Sequence, residues 1–88
     1  MCRSIKPLNN LTPPASEQEI ADAALQYVRK IAGSRSPSRA NQRAYDDAVA
    51  AITDASRELL AALVTTAAPR TREQLAAQAR ERGARRAG

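Results

Sequence analysis

The chain has 88 residues, a net charge of +5, one cysteine and no histidine. Without an imidazole it cannot build a Ser-His-Asp or Cys-His catalytic site, and one thiol cannot form a clustered-cysteine metal centre or an internal disulfide. Twenty residues are alanine and only 14 are leucine, isoleucine or valine. We therefore expect one small helical domain, residues 1–88, with a thin core that self-association could complete.

The first predicted segment, residues 1–15, is an arm. Pro13 and Pro14 end any helical spacing in it, so we expect an extended or one-turn structure. Arg3 and Lys6 stand where a signal peptide needs an apolar run, and no apolar stretch is long enough to cross a membrane. We therefore expect a cytoplasmic protein that makes no membrane contact.

The second segment, residues 16–32, is predicted to be a helix. Ser16 with Glu19 three positions later is typical of a capping box, and Gly33 is typical of a helix end. Large and small apolar residues recur on one helical face: Ile20, Ala24, Tyr27, Val28 and Ile31.

Residues 33–38 form a predicted elbow, and a long second helix over residues 39–66 follows, with Ser38 as its predicted cap. Its apolar face consists of Tyr45, Ala48, Val49, Ile52, Ala55, Leu59, Leu60 and Leu63. The shorter first helix can cover only part of this face. The rest needs the arm, the third helix, a second copy of the chain or a protein partner.

Thr71 and Gln74 indicate a second capping box, which begins a third helix over residues 71–82. The arginine-rich segment 83–88 is predicted to be a frayed basic tail. The predicted fold is thus all-α: an antiparallel hairpin of the first two helices, an extended N-terminal arm, and a third helix that partly covers the second.

Several short blocks occur in a fixed order: Met1 to Lys6, Pro13 to Glu17, Ala23 to Lys30, Pro37-Ser38 with Ala40-Asn41, and Leu63 to Ala67 with Pro69-Arg70. Together they resemble a small bacterial family, domain of unknown function 2277. That family often has phenylalanine where this chain has Leu11, Ser34 and Ala87, which makes the core here look thinner. The resemblance implies a single-domain helical bacterial protein and implies no chemistry.

Basic residues are concentrated between positions 29 and 43, which contain five arginines and lysines and no acid. Arg39 and Arg43 lie near the predicted start of the second helix, where the helix dipole disfavours positive charge. With Arg35 and Ser38 they form a candidate anion-binding site for phosphate, carboxylate or nucleic acid. The alternative is a solvated arginine-rich turn. Two tyrosines in all do not favour base stacking.

Cys2 is the candidate reactive thiol. Removal of Met1 would expose it as an N-terminal cysteine, whose α-amino group could act as the local base. A small helical hairpin offers little from which to build an oxyanion site, so a buried or redox-sensitive thiol is the simpler interpretation. We assign no catalytic residue, no metal site and no cofactor.

Taken together, the residues do not identify the biological function. The leading hypothesis is a non-enzymatic helical interaction module that forms a homodimer or binds a protein partner through the second helix. Nucleic-acid or anion binding through the basic elbow is one alternative, and thiol or redox chemistry at Cys2 is another.

Overall fold

The computed structural model describes residues 5–87 and contains three α-helices within them. Helix α1 spans Glu17–Ala32, α2 spans Gln42–Ala62 after a short 3-10 turn at Arg39–Asn41, and α3 spans Arg72–Ala87. The described residues contain no β-strand beyond one isolated bridge. The prediction of a small all-α protein is confirmed.

Both ends of α1 have the caps that the sequence predicts. The Ser16 hydroxyl accepts from the Glu19 amide at 3.1 Å, and the Glu19 carboxylate accepts from the Ser16 amide at 2.8 Å. At the other end Gly33 adopts φ +70° and donates its amide to the Arg29 carbonyl at 3.0 Å. A left-handed residue at this position ends the helix and satisfies a carbonyl of its last turn.

Helices α1 and α2 form an antiparallel hairpin. Arg57, late in α2, donates from Nη2 to Glu17 Oε2 at 2.7 Å, at the start of α1. At the other end the Tyr45 hydroxyl donates to the Ser34 carbonyl at 3.0 Å. The C-terminal half of α2 therefore lies beside the N-terminal half of α1.

The core is thin. The apolar residues that are buried are Leu11, Ile20, Ala24 and Val28, and no described side chain is less than 2% exposed. Thr53 is the buried polar residue opposite them, and its hydroxyl donates to the Val49 carbonyl at 2.6 Å. Three of the four buried apolar residues lie on α1, so the core is chiefly the inner face of that helix.

The bounds of α2 differ from the prediction of 39–66. The α-helix begins at Gln42, and the Ser38 side chain makes no capping hydrogen bond, which corrects the prediction that Ser38 caps this helix. It ends at Ala62, and Leu63 is extended with ψ 133°. The β-branched residues of positions 64–66 favour extended backbone over helix.

The arm pairs with the linker between α2 and α3, residues 63–71. The Arg70 amide donates to the Asn10 carbonyl at 3.0 Å, and the Thr12 amide donates to the Arg70 carbonyl at 2.9 Å. Asn10, at φ 59°, also donates its side-chain amide to the carbonyls of Ala67 and Ala68 at 3.1 and 3.2 Å. The arm is extended, as predicted, and the Thr12-Pro13 peptide is cis.

Helix α3 begins with the predicted capping box. The Thr71 hydroxyl accepts from the Gln74 amide at 3.1 Å, and the Gln74 side chain accepts from the Thr71 amide at 2.8 Å. The helix continues to Ala87, beyond the predicted end at residue 82, because alanine, arginine and glutamate are strong helix formers. In the described part of the chain α3 does not pack against α1 or α2, so the expectation that it covers α2 is wrong.

Candidate interaction surface

Large apolar side chains remain exposed along the hairpin. The exposed fraction is 47% for Tyr27 and 66% for Ile31 on α1, and 57% for Leu59 on α2. It is 44% for Leu63 and 92% for Val64, which follow α2. Scattered apolar residues on a surface need no explanation, but here they outnumber the large apolar residues that are buried.

The total accessible surface supports the same conclusion. It is 6935 Å² for a chain of 9.4 kDa, whereas a compact monomer of that mass exposes about 5,000 Å². The radius of gyration is 15.2 Å, against about 12 Å for a compact domain of this length. The fold leaves surface uncovered that a globular protein of this size buries.

Helix α2 has two apolar faces. The inner face packs toward α1 and contains half-buried or buried side chains: Val49, Thr53, Ser56 and Leu60. The outer stripe is defined here as Ala48, Ile52, Ala55, Leu59 and Ala62. Its first two residues are half-buried, and the last three are exposed. The outer stripe therefore opens to solvent toward the C-terminal end of α2.

A groove of about 400 Å³ lies where the arm meets the hairpin. Leu8 and Leu11 of the arm line it together with Ile20 of α1 and Leu60 of α2, and Arg57 lies at its edge. The arm thus covers the α2 flank that carries Leu60. The groove contains no cysteine, serine or histidine, and its charged residues, Glu17 and Arg57, are paired with each other.

Ion pairs set the electrostatics at both ends of the arm. The hydrogen bond from Arg57 lowers the pKa of Glu17, and the bonds from Glu17 and Asp54 raise the pKa of Arg57. Arg72 lowers the pKa of Glu19 to about 2, with a further contribution from the Ser16 amide. These carboxylates are consumed in holding helices together, which leaves them unsuited to acid or base catalysis.

The candidate anion-binding residues are all on the surface. The residues Arg35, Ser38, Arg39 and Arg43 are each exposed. Arg43 lies 3.9 Å from the Asp47 carboxylate, in a pair whose members are 94% and 76% exposed. No described acidic side chain pairs with Arg35 or Arg39. The structure provides a basic surface here without an enclosed pocket.

Other predicted features have simple outcomes. Cys2, the candidate reactive thiol, lies outside the described residues. Within residues 5–87 no cluster of acidic, cysteine or histidine side chains could hold a metal ion. None of the helices in that range combines the length and apolar character needed to cross a membrane.

Sequence reasoning missed the role of Arg72. Its guanidinium contacts Glu19 and the carbonyls of Pro13 and Pro14. The signal was present, because Arg72 is a positive charge in the first turn of a helix, where the dipole disfavours it. The same rule was applied at Arg39 and Arg43, but the partner across 53 positions was not visible.

Comparison with known proteins gives one match. A family model described as an uncharacterised conserved protein, DUF2277, matches residues 1–78. No curated protein and no solved structure matches the chain.

Proposed function

The chain belongs to the DUF2277 family of uncharacterised conserved proteins, and from its surface we propose that it is a non-enzymatic helical interaction module. It binds another protein surface through the outer stripe of α2 and the exposed side chains Tyr27 and Ile31 beside it. The observation that carries this proposal is Leu59, a large apolar residue inside a regular helix that remains 57% exposed.

The energetics favour association. The accessible surface exceeds that of a compact monomer of 9.4 kDa by about 1,900 Å², while a standard interface needs roughly 800 Å² per partner. Burial of apolar area contributes about 25 cal/mol per Å². A partner that covers the outer stripe would therefore stabilise both itself and the hairpin.

The test is site-specific photo-crosslinking in the organism that encodes the protein. A photoreactive residue replaces Leu59 in one variant and Ala50, an exposed residue away from the outer stripe, in the control. We expect a covalent protein adduct at position 59 and none at position 50. Equal or absent adducts at both positions would overturn the proposal.

A second candidate function, binding of nucleic acid or another polyanion, is favoured by Arg35 and Arg39. Both are exposed, and no described carboxylate pairs with either. Arginines that contact phosphates release counterions, so binding would weaken steeply with salt. Fluorescence anisotropy with RNA and duplex DNA across a salt series would measure this.

The informative variant for that second function replaces Arg35, Arg39 and Arg43 by alanine. Its control replaces Arg80 and Arg82, exposed arginines of α3. We expect the salt dependence to fall by roughly one logarithmic unit per lost phosphate contact in the first variant and to change less in the second. No binding by the wild-type chain at low salt would remove this candidate. Thiol or redox chemistry at Cys2 remains a hypothesis from the sequence.

A further inference from the structure

We propose that the partner of the outer stripe is a second copy of this chain, with the two α2 helices antiparallel about a two-fold axis. This inference rests on the proposed function and specifies its partner. The two hairpins then form a four-helix bundle, in which α2 packs on α1 with its inner face and on the second α2 with its outer stripe.

The spacing along α2 supports a helix-to-helix seam. Counting from Tyr45, the outer stripe continues in steps of three and four residues, which is the heptad pattern of positions that face a neighbouring helix. Large and small side chains alternate along it: Tyr45, Ala48, Ile52, Ala55, Leu59 and Ala62. Such alternation is not needed on a solvated helix face.

An antiparallel pair reverses the order of residues on one helix, so each layer joins two different heptad positions. With the two-fold axis between positions 52 and 55, Ile52 meets Ala55 of the second copy, and Leu59 meets Ala48. Tyr45 meets Ala62 in the outermost layer. Every layer then combines one large side chain with one alanine, which lets the helices approach closely and fills the space between them.

Other arrangements pack less well. A parallel pair places identical residues together, so that Ile52 meets Ile52 in one layer and Ala55 meets Ala55 in the next. Crowded and empty layers would alternate, and both cost free energy. A shift of the antiparallel pair by one heptad keeps large against small but loses two of the six layers. The side-chain sizes thus specify orientation and register.

The charges beside the stripe are compatible with this pairing. One flank of α2 carries Ala44, Ala51 and Glu58, all exposed. In the proposed register Glu58 of one copy lies opposite Ala44 of the other, next to Arg43, so opposite charges are close. The two Glu58 side chains lie at opposite ends of the pair. No like charges face each other across the flank.

The arrangement also accounts for the exposed residues of α1. Because α1 and α2 are antiparallel, Tyr27 and Ile31 lie beside the N-terminal half of α2. An antiparallel second copy brings the C-terminal half of its own α2, with Leu59 and Leu63, to that end. Four of the most exposed large apolar residues would therefore be covered by one contact, repeated by symmetry.

The first test is sedimentation equilibrium of the purified chain. We expect a species of twice the 9.4 kDa chain mass. Ala55→Glu should weaken the dimer by roughly a hundredfold or more, since it buries a carboxylate without a partner at the centre of the pair. Ala50→Glu makes the same substitution at an exposed position off the stripe and should leave the dimer intact. Circular dichroism checks that both variants remain helical.

A size swap tests orientation and register. Ile52→Ala should create a cavity in the central layer and Ala55→Ile should overcrowd it, so each alone weakens the dimer. The double variant restores one large and one small residue per layer only in the proposed antiparallel register, and we expect it to dimerise again. A double variant no better than either single variant would overturn this register.

The outcomes separate the inference from the proposed function. A chain that stays monomeric at millimolar concentration, with adducts of a different protein at position 59 in cells, overturns self-pairing and leaves the interaction module standing. A monomeric chain with no adduct at position 59 overturns both. Adducts of twice the chain mass support both.

Discussion

Glu19 and Arg72, 53 positions apart, form a two-bond ion pair. Arg72 donates from Nη2 to Glu19 Oε1 at 2.6 Å and from Nε to Oε2 at 2.8 Å. The same guanidinium donates to the carbonyls of Pro13 and Pro14 at 2.8 and 3.2 Å. One side chain therefore joins the first turn of α3, the first turn of α1 and the end of the arm.

Arg72→Ala should release α3 from the hairpin. In the described residues α3 does not pack against α1 or α2, so the ion pair and the linker pairing hold its N-terminal end. We expect the α3 amides to exchange with solvent as in a frayed helix, while amides around the buried residues Ala24 and Val28 stay protected. Hydrogen exchange with mass spectrometry measures this. Arg82→Ala, an exposed control in the same helix, should change nothing, and unchanged α3 protection in Arg72→Ala would contradict the prediction.

The attachment of α3 should also depend on acid. Arg72 holds the pKa of Glu19 at about 2, below the ordinary value of 4.5. A carboxyl whose folded pKa is depressed contributes stability above the unfolded pKa, and that stability is lost as pH falls through the folded value. We therefore expect α3 to loosen between about pH 4.5 and pH 2, as followed by NMR of its amides.

Glu19→Gln is the matched variant for the pH experiment. Glutamine keeps an acceptor for the Ser16 capping box but carries no charge. In this variant α3 should be loose already at neutral pH, and its further loosening between pH 4.5 and pH 2 should be smaller. An acid transition of unchanged size would assign the effect to another carboxyl, such as Glu17, whose pKa Arg57 also lowers.

The local features of the fold could be predicted from the sequence. The capping boxes that begin with Ser16 and Thr71 and the end of α1 at Gly33 all follow from residues within four positions of each other. Such signals act through nearby backbone groups, so they do not depend on the rest of the fold.

Features that depend on distant partners could not be predicted. The arm pairs with the linker through Asn10 and Arg70, 60 positions apart, by a single bridge without any periodic pattern. That pairing also keeps the linker extended, and α2 accordingly ends at Ala62. The exposed stripe that includes Leu59 was predicted as apolar, but its exposure depends on where α3 lies, which propensity does not determine.

Ser16→Ala should destabilise the protein more than Ser38→Ala. The Ser16 hydroxyl accepts from the Glu19 amide, and loss of such a cap typically costs about 1 kcal/mol. The Ser38 side chain makes no capping hydrogen bond and is exposed, so its removal should have little effect on the free energy of unfolding. Urea unfolding followed by circular dichroism compares the two. Equal losses would show that Ser38 caps the second helix in solution after all.

Gly33 and Gly83 should respond to alanine in opposite directions. An added Cβ would meet no atom within 4 Å at either position, so backbone conformation alone decides the result. Gly33 has φ +70°, where an alanine costs about 1–2 kcal/mol. Gly83 lies inside α3, where alanine is favoured over glycine by about 1 kcal/mol. Urea unfolding should therefore show a loss for Gly33→Ala, and circular dichroism a gain in helix content for Gly83→Ala. Because α3 is not packed on the hairpin, that gain should leave the unfolding midpoint almost unchanged. A large midpoint increase in Gly83→Ala would mean that α3 unfolds together with the core.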